Sequence, residues 1–177
     1  KLHIFGLVID AGHHEGIAVG VDGELAFTGV HAVKSDVRIA VGYLRLLLLN
    51  FLVYDNVAGF DVHLLHLIQS VHEVEGIERI RLGSLEPRII TEEFAQTLAS
   101  LPKICPHFHL SMQSGCDETL KRMNRRYTSA VYFEKCEILR SAFEHPALTT
   151  DVIVGFPQES EEEFEITRKF IEKVNFY

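Results

Sequence analysis

The sequence predicts an α/β domain built on a parallel sheet, and three observations predict it. From about Gly59 onward the local patterns alternate as helix-strand-helix-strand-helix-helix-strand-helix, the order of strands joined by crossover helices. Thr149 to Val154 reads as one continuous strand of apolar character, as in a sheet covered on both faces. Two strands run out into polar, glycine-containing segments, Gln113-Ser114-Gly115 and Gly155-Phe156-Pro157-Gln158, at the strand ends where barrel enzymes place their chemistry.

Each element has its own signal. Val62 to Val74 carries Leu64, Leu65, Ile68 and Val71 at helical spacing and ends near Gly76, a residue suited to closing a helix. Ile77 to Leu82 is a short apolar strand. Thr91 is placed to cap a helix carrying Phe94, Leu98 and Leu101, which Pro102 stops. Phe108 to Ser111 is the next strand, and Asp117 is a good N-cap for a helix through Met123. Val131 to Phe143 puts Tyr132, Cys136, Leu139 and Phe143 on one helical face. Ser160 and Glu163 have capping-box spacing ahead of Phe164, Thr167, Phe170, Ile171 and Val174.

The chain has 177 residues, enough for one domain with a sizeable core. A net charge of -8 argues against a generally basic nucleic-acid surface. It leaves one local basic cluster, Lys121, Arg122, Arg125 and Arg126, which reads first as a solvated helix face and second as a phosphate contact. Three cysteines at irregular positions are no disulfide framework, which points to a reducing cytoplasm. The N-terminus has no recognisable signal peptide. Ile39 to Tyr54, interrupted by Arg45 and Asn50, is the one membrane candidate; it falls short of the roughly 20 apolar residues a spanning helix needs. Residues 1–58 are less orderly, with Gly6, Gly12, Gly16, Gly20, Gly23 and Gly29 punctuating short pieces that could be strands, and no clearly capped helix before Val37.

Several segments carry a family resemblance in the right order. They are Glu75-Gly76-Ile77-Glu78-Arg79-Ile80-Arg81-Leu82-Gly83-Ser84-Leu85-Glu86-Pro87, Phe108-His109-Leu110-Ser111-Met112-Gln113-Ser114-Gly115-Cys116-Asp117, Met123-Asn124-Arg125-Arg126-Tyr127-Thr128 and Thr149-Thr150-Asp151-Val152-Ile153-Val154-Gly155-Phe156-Pro157. Over residues 60–177 the chain resembles the radical S-adenosylmethionine (radical SAM) tRNA methylthiotransferases, most closely the branch acting on N6-threonylcarbamoyladenosine at position 37 of tRNA. The resemblance implies a partial radical SAM (β/α) barrel, with residues 59–177 supplying about its third to fifth strands. It also implies S-adenosyl-L-methionine and [4Fe-4S] clusters as cofactors, tRNA as partner and a cytoplasmic location.

The departures are specific. The family's cluster loop is C-x3-C-x2-C, whereas Cys105, Cys116 and Cys136 are spaced C-x10-C-x19-C; ligand spacing follows cluster geometry, so these are expected to be core or turn cysteines. Phe27 to His31 is a weak match to the second barrel strand, and Gln158 stands where the family usually has glycine. Residues 1–58 are therefore expected to be an atypical segment: fused, frame-shifted or divergent. The chain alone is expected to lack the reaction.

The resemblance assigns Glu86 to the cofactor's ammonium, Gln113 and Asp151 to its ribose, and Arg125 to its carboxylate. Ser114 and Gly115 would let the backbone approach the ligand. Each also has a plainer reading: a surface acid, a polar turn, a basic helix end and, for Asp151, a partner of a buried Thr or Arg. Asp151 stands out even without the resemblance, because a carboxylate buried unpaired in a strand is costly. Two other classes stay open. One is a non-catalytic α/β domain that binds a ligand or oligomerises through its open sheet edge. The other is a metal-dependent hydrolase using His107 and His109, which share a strand face, with Asp151 as a third ligand. His145, in a loop beside Pro146, fits such a site poorly, and adjacent His13 and His14 would point to opposite faces.

Overall fold

The structure is a computed structural model that describes the backbone of residues 7–10, 16–19, 25–28 and 60–177, with side chains from Leu64 onward. The membrane candidate, His13-His14 and the remainder of 1–58 lie outside the described residues. The elements are β1 (Leu7–Asp10), β2 (Gly16–Val19), β3 (Leu25–Thr28), α1 (Phe60–His72), β4 (Arg79–Leu85), a 3-10 turn (Pro87–Ile89), α2 (Glu92–Ala99), β5 (Ile104–Leu110), α3 (Asp117–Arg122), α4 (Ser129–Ala142), β6 (Ala147–Thr149) and α5 (Glu161–Val174). The chain divides into two units, Leu2–Leu82 with Gln96–Cys105, and Gly83–Ala95 with Pro106–Tyr177.

In the first unit the strand order is β3-β2-β1-β4. All three pairings are antiparallel, with Ile9 opposite both Ile17 and Ile80. A β/α barrel would put a parallel strand beside β4, so β1 is not a barrel strand of that kind. Helix α1 buries Leu64, Ile68 and Val71 at the expected spacing. Its end differs from expectation: the helix stops at His72, and Lys103 Nζ donates to the carbonyls of His72 and Val74 (2.5 and 3.1 Å), meeting groups the helix leaves open. Gly76, at φ +84°, turns the chain afterwards.

The second unit continues the order as β4-β5-β6, a parallel arrangement. The register of β5 and β6 pairs His107 with Ala147, Phe108 with Leu148 and His109 with Thr149. Its core is Phe108, Leu110 and Met112 against Tyr132, Cys136 and Leu139 of α4, all fully buried, with Leu148, Phe170 and Val174 also buried. Phe143 stacks on Phe108 with centroids 4.8 Å apart. Phe170 meets the edge of Tyr132 at 6.2 Å. The Ser160–Glu163 capping box is present, as is the Thr91 cap on the Phe94 amide (3.0 Å).

Two expectations are corrected. Asp117 does not cap α3; it is the helix's first residue, Cys116 takes the cap position without a side-chain bond, and Asp117 Oδ1 accepts from the Ser129 amide at 2.7 Å. The last strand is also far shorter than Thr149–Val154. β6 ends at Thr149, and only Val152 pairs again, bridging to Gln113. The interruption lies on its neighbour: β5 stops at Leu110, the Thr150 hydroxyl takes the Leu110 carbonyl and the Met112 amide in place of ladder bonds, and pairing resumes at the Gln113–Val152 bridge. Ile153 and Val154 are consequently 41% and 65% exposed. No described helix is long and apolar enough to cross a membrane.

Candidate functional site

The site is built where β4, β5 and β6 end. Glu86 follows β4 directly and leads into the 3-10 turn. Its Oε1 accepts from Arg88 Nε at 2.6 Å, and its side chain is largely covered. A ligand ammonium would therefore share this carboxylate with a guanidinium.

Beyond β5 the chain is held by hydroxyls rather than by a ladder. Thr150 Oγ1 donates to the Leu110 carbonyl (2.6 Å) and accepts from the Met112 amide (3.0 Å). Tyr132, fully buried, donates its hydroxyl to the Leu110 carbonyl (2.9 Å). Tyr127 donates to the carbonyls of Ser111 (2.7 Å) and Met112 (3.1 Å). Burial pushes the Tyr127 phenol up to about 12; the Arg125 charge pulls it down and the Glu86 charge adds to the rise.

Gln113 is joined to Asp151 by the backbone: its amide donates to the Asp151 carbonyl (3.0 Å), and the Ile153 amide donates to its carbonyl (2.9 Å). The Asp151 side chain is 74% exposed, so the expected buried carboxylate is not there. It stands 3.5 Å from His109 Nε2. All four sequence-predicted residues lie in one unit: Gln113 and Asp151 are joined through the backbone, Glu86 follows β4, and Arg125 stands in the connection between α3 and α4.

Ser114 and Gly115 correct another expectation. Both are buried beneath α5. Ser114 Oγ and the Gly115 amide bond to Thr167 Oγ1 (3.0 and 3.2 Å). A methyl group on Gly115 would fall 2.6 Å from Phe170 Cβ. This glycine serves helix packing rather than ligand approach. The basic cluster is also smaller than the sequence suggests. Arg122 is held in a two-pronged pair with Glu163 (2.9 and 2.6 Å), whose bonds keep Glu163 below the ordinary carboxylate range.

The rival metal reading has part of its geometry. The Thr149 hydroxyl lies 3.3 Å from His107 Nε2 and 3.1 Å from His109 Nδ1, so the two imidazoles share a face as expected. Among the described residues, however, no three His, Cys, Asp or Glu side chains converge as metal ligands. His145 is exposed in its loop.

The model of the Radical SAM superfamily matches residues 45–171. The chain belongs to the radical SAM superfamily. The chain is 48% identical over 110 residues to tRNA-2-methylthio-N(6)-dimethylallyladenosine synthase of Desulfosudis oleivorans, covering 62% of the chain and 24% of the relative. The protein of the same name from Geobacter sulfurreducens matches at 48% over 110 residues, 62% and 25%. A threonylcarbamoyladenosine tRNA methylthiotransferase of Chlamydia pneumoniae is 42% identical over 135 residues, 76% and 32%. The chain thus spans between a quarter and a third of the length of these relatives. The superfamily implies S-adenosylmethionine and a [4Fe-4S] cluster. The described cysteines do not fit a cluster: Cys116 and Cys136 are buried apart from any ligand group, and burial pushes the Cys136 thiol up to about 12, against the thiolate a cluster needs.

Sequence reasoning missed Tyr127, Tyr132 and Thr150, the three hydroxyls that shape the end of β5. Tyr127 entered it within the segment Met123 to Thr128 that carries the resemblance, without a role of its own. The available signal was a tyrosine two residues after the candidate arginine, between two helices.

Proposed function

We propose that this chain carries the cofactor-holding half of a radical SAM tRNA methylthiotransferase, acting on an N6-substituted adenosine, with N6-threonylcarbamoyladenosine-37 as the substrate branch. The observation that carries this reading is that Glu86, Gln113 and Asp151 follow the ends of three parallel strands and lie in one unit, with Gln113 and Asp151 joined through the backbone. Support for the branch comes from the sequence segments and the long match to the Chlamydia pneumoniae protein; the relatives named for dimethylallyladenosine define its competitor.

The donor set suits S-adenosylmethionine. Among the described residues no carboxylate pairs with Arg125, which is half-buried and able to grip a ligand carboxylate in two places. Glu86 would meet the ammonium, shielded on one side by Arg88. Gln113, fixed by its backbone to Asp151, presents an amide that both donates and accepts, and Asp151 accepts from hydroxyls. Given an electron from a reduced iron-sulfur cluster, which the described cysteines do not fit, S-adenosylmethionine would supply the radical for hydrogen abstraction and the methyl group. The residues named here orient it and hold its charged ends out of water.

Two measurements test the reading. Calorimetric titration of S-adenosylmethionine into the chain should show binding that Asp151→Ala weakens at least about tenfold; no heat from the unsubstituted chain refutes the cofactor assignment. Mass spectrometry of tRNA nucleosides after disruption of the gene should show loss of the methylthio-threonylcarbamoyl product. Loss of the dimethylallyl product instead moves the substrate branch, and unchanged tRNA refutes the function. The open edge at β6, with Ile153 and Val154 exposed beside it, favours self-association as a second reading. Sedimentation at several concentrations decides that.

A further inference from the structure

Arg125 stands in a six-residue connection, 123–128, between α3 and α4. Its N-terminal side is fixed by the end of α3. Asn124 is left-handed at φ +56°, the Asn124 amide donates to the Lys121 carbonyl (3.0 Å), and the Arg125 amide donates to the Leu120 carbonyl (2.9 Å). These are the two bonds of a Schellman ending. The C-terminal side is fixed at α4, where Thr128 caps the Val131 amide and Asp117 accepts from the Ser129 amide. Between these ends one side chain ties the connection to the sheet, Tyr127, only 6% exposed, whose hydroxyl reaches the carbonyls of Ser111 and Met112 beyond the last residue of β5.

We propose that Tyr127 is a positioning residue for the cofactor's amino-acid end: its hydroxyl, bound to Ser111 and Met112, sets the 123–128 connection against the end of β5 and so places Arg125 for the ligand carboxylate. The inference rests on the reading above and adds a residue to it. Sequence proximity makes the coupling direct, since only Arg126 separates the residue of the anchored phenol from Arg125. The same Met112 carbonyl precedes Gln113, so the anchor also joins the arginine to the neighbouring ligand group. A tyrosine that merely filled the core would need its ring, not its hydroxyl.

The test uses two ligands on the chain: S-adenosylmethionine, and 5′-methylthioadenosine, which keeps the ribose and base but lacks the amino-acid carboxylate. Arg125→Ala should weaken S-adenosylmethionine about tenfold and leave methylthioadenosine within about twofold. Tyr127→Phe should do the same to a smaller degree, about three- to tenfold, and add nothing in the Arg125→Ala background. If Arg125→Ala weakens S-adenosylmethionine and Tyr127→Phe does not, the anchoring role is wrong while the cofactor reading stands. Equal weakening of both ligands by Tyr127→Phe also overturns it, because that is general damage. An unsubstituted chain that binds neither ligand, or an Arg125→Ala variant without effect, removes the underlying reading and this inference with it. Should Tyr127→Phe lose its far-ultraviolet circular dichroism, the same ligand pair on Tyr127→His, which keeps a ring donor, decides between the same outcomes.

Discussion

The ends of β5 and β6 lie in one unit and each leads to a candidate residue, Gln113 and Asp151, yet they are built in different ways. Past Leu110, the β5 segment is enclosed: Met112 and Ser114 are fully buried, and Tyr127, Tyr132 and Thr150 supply donors to three successive carbonyls. Past Thr149, the β6 segment has a neighbour on one side only. Asp151, Ile153 and Val154 are exposed, and among the described residues Asp151's side chain meets only His109, at 3.5 Å. The contrast teaches that a strand end becomes a fixed platform when its carbonyls find side-chain donors after the ladder stops. The arginine-and-amide half of the site has that platform, and the aspartate half borrows its place from Gln113's backbone.

The largest effect that sharpens the contrast is in packing. Phe108 is fully buried and stacked on Phe143, so Phe108→Ala should cost about 3–5 kcal/mol. Ile153→Ala, at 41% exposure on the other segment, should cost less than about 1 kcal/mol. Urea denaturation of the two variants measures both. Similar losses would mean that the β6 end is packed in solution and that the contrast is wrong.

A second, smaller effect comes from the anchoring phenol. Tyr127 ionises near 10 when unfolded and about 12 when folded. Its contribution is therefore complete below about pH 10 and disappears as pH rises toward about 12, since the unfolded chain gives up the proton first. The shift corresponds to about 2–3 kcal/mol. Cys136, raised from 9.0 to about 12, steepens the same alkaline limb, so the substitution matters for the assignment. Comparing stability at about pH 8 and about pH 11.5 should show a shallower loss in Tyr127→Phe than in the unsubstituted chain. Parallel curves would show the phenol to be more open than the enclosed β5 end requires.

These differences mark how far the sequence could be read. Helical periodicity located α1, α4 and α5, because each buries one stripe: Tyr132, Cys136 and Leu139 in α4 show it directly. The four candidate residues were picked out from the motif segments, and of these the structure joins Gln113 to Asp151 through the backbone. The course of β6 was not legible. An apolar run reports side chains, whereas the length of a strand depends on whether its neighbour continues, and the stop of β5 at Leu110 was invisible beside it. Nor were the hydroxyl anchors, since their partners are main-chain carbonyls 15 to 40 residues away, which no local pattern encodes. Gly115 was recognised as special but for the wrong reason, because its constraint comes from Phe170 on a distant helix.

The smallest predicted effect lies in the open half, at Gln158. The Glu159 amide donates to the Phe156 carbonyl at 2.8 Å, with Pro157 first and Gln158 second between them. Gln158 has φ +68°, so the four residues make a turn of type II character, whose third position favours glycine. Two terms oppose each other on substitution. Gln158→Gly removes a left-handed conformation that costs an ordinary residue about 1–2 kcal/mol. It also frees the unfolded chain, which costs about 0.5–1 kcal/mol. The net expectation is a gain of up to about 1 kcal/mol, with Gln158→Val, a β-branched side chain at positive φ, losing at least as much. Thermal melts of the two variants against the unsubstituted chain give the order Gly above Gln above Val. Reversal of that order would mean that the turn is not held at positive φ, and the exposed segment after β6 would then lack even its local restraint.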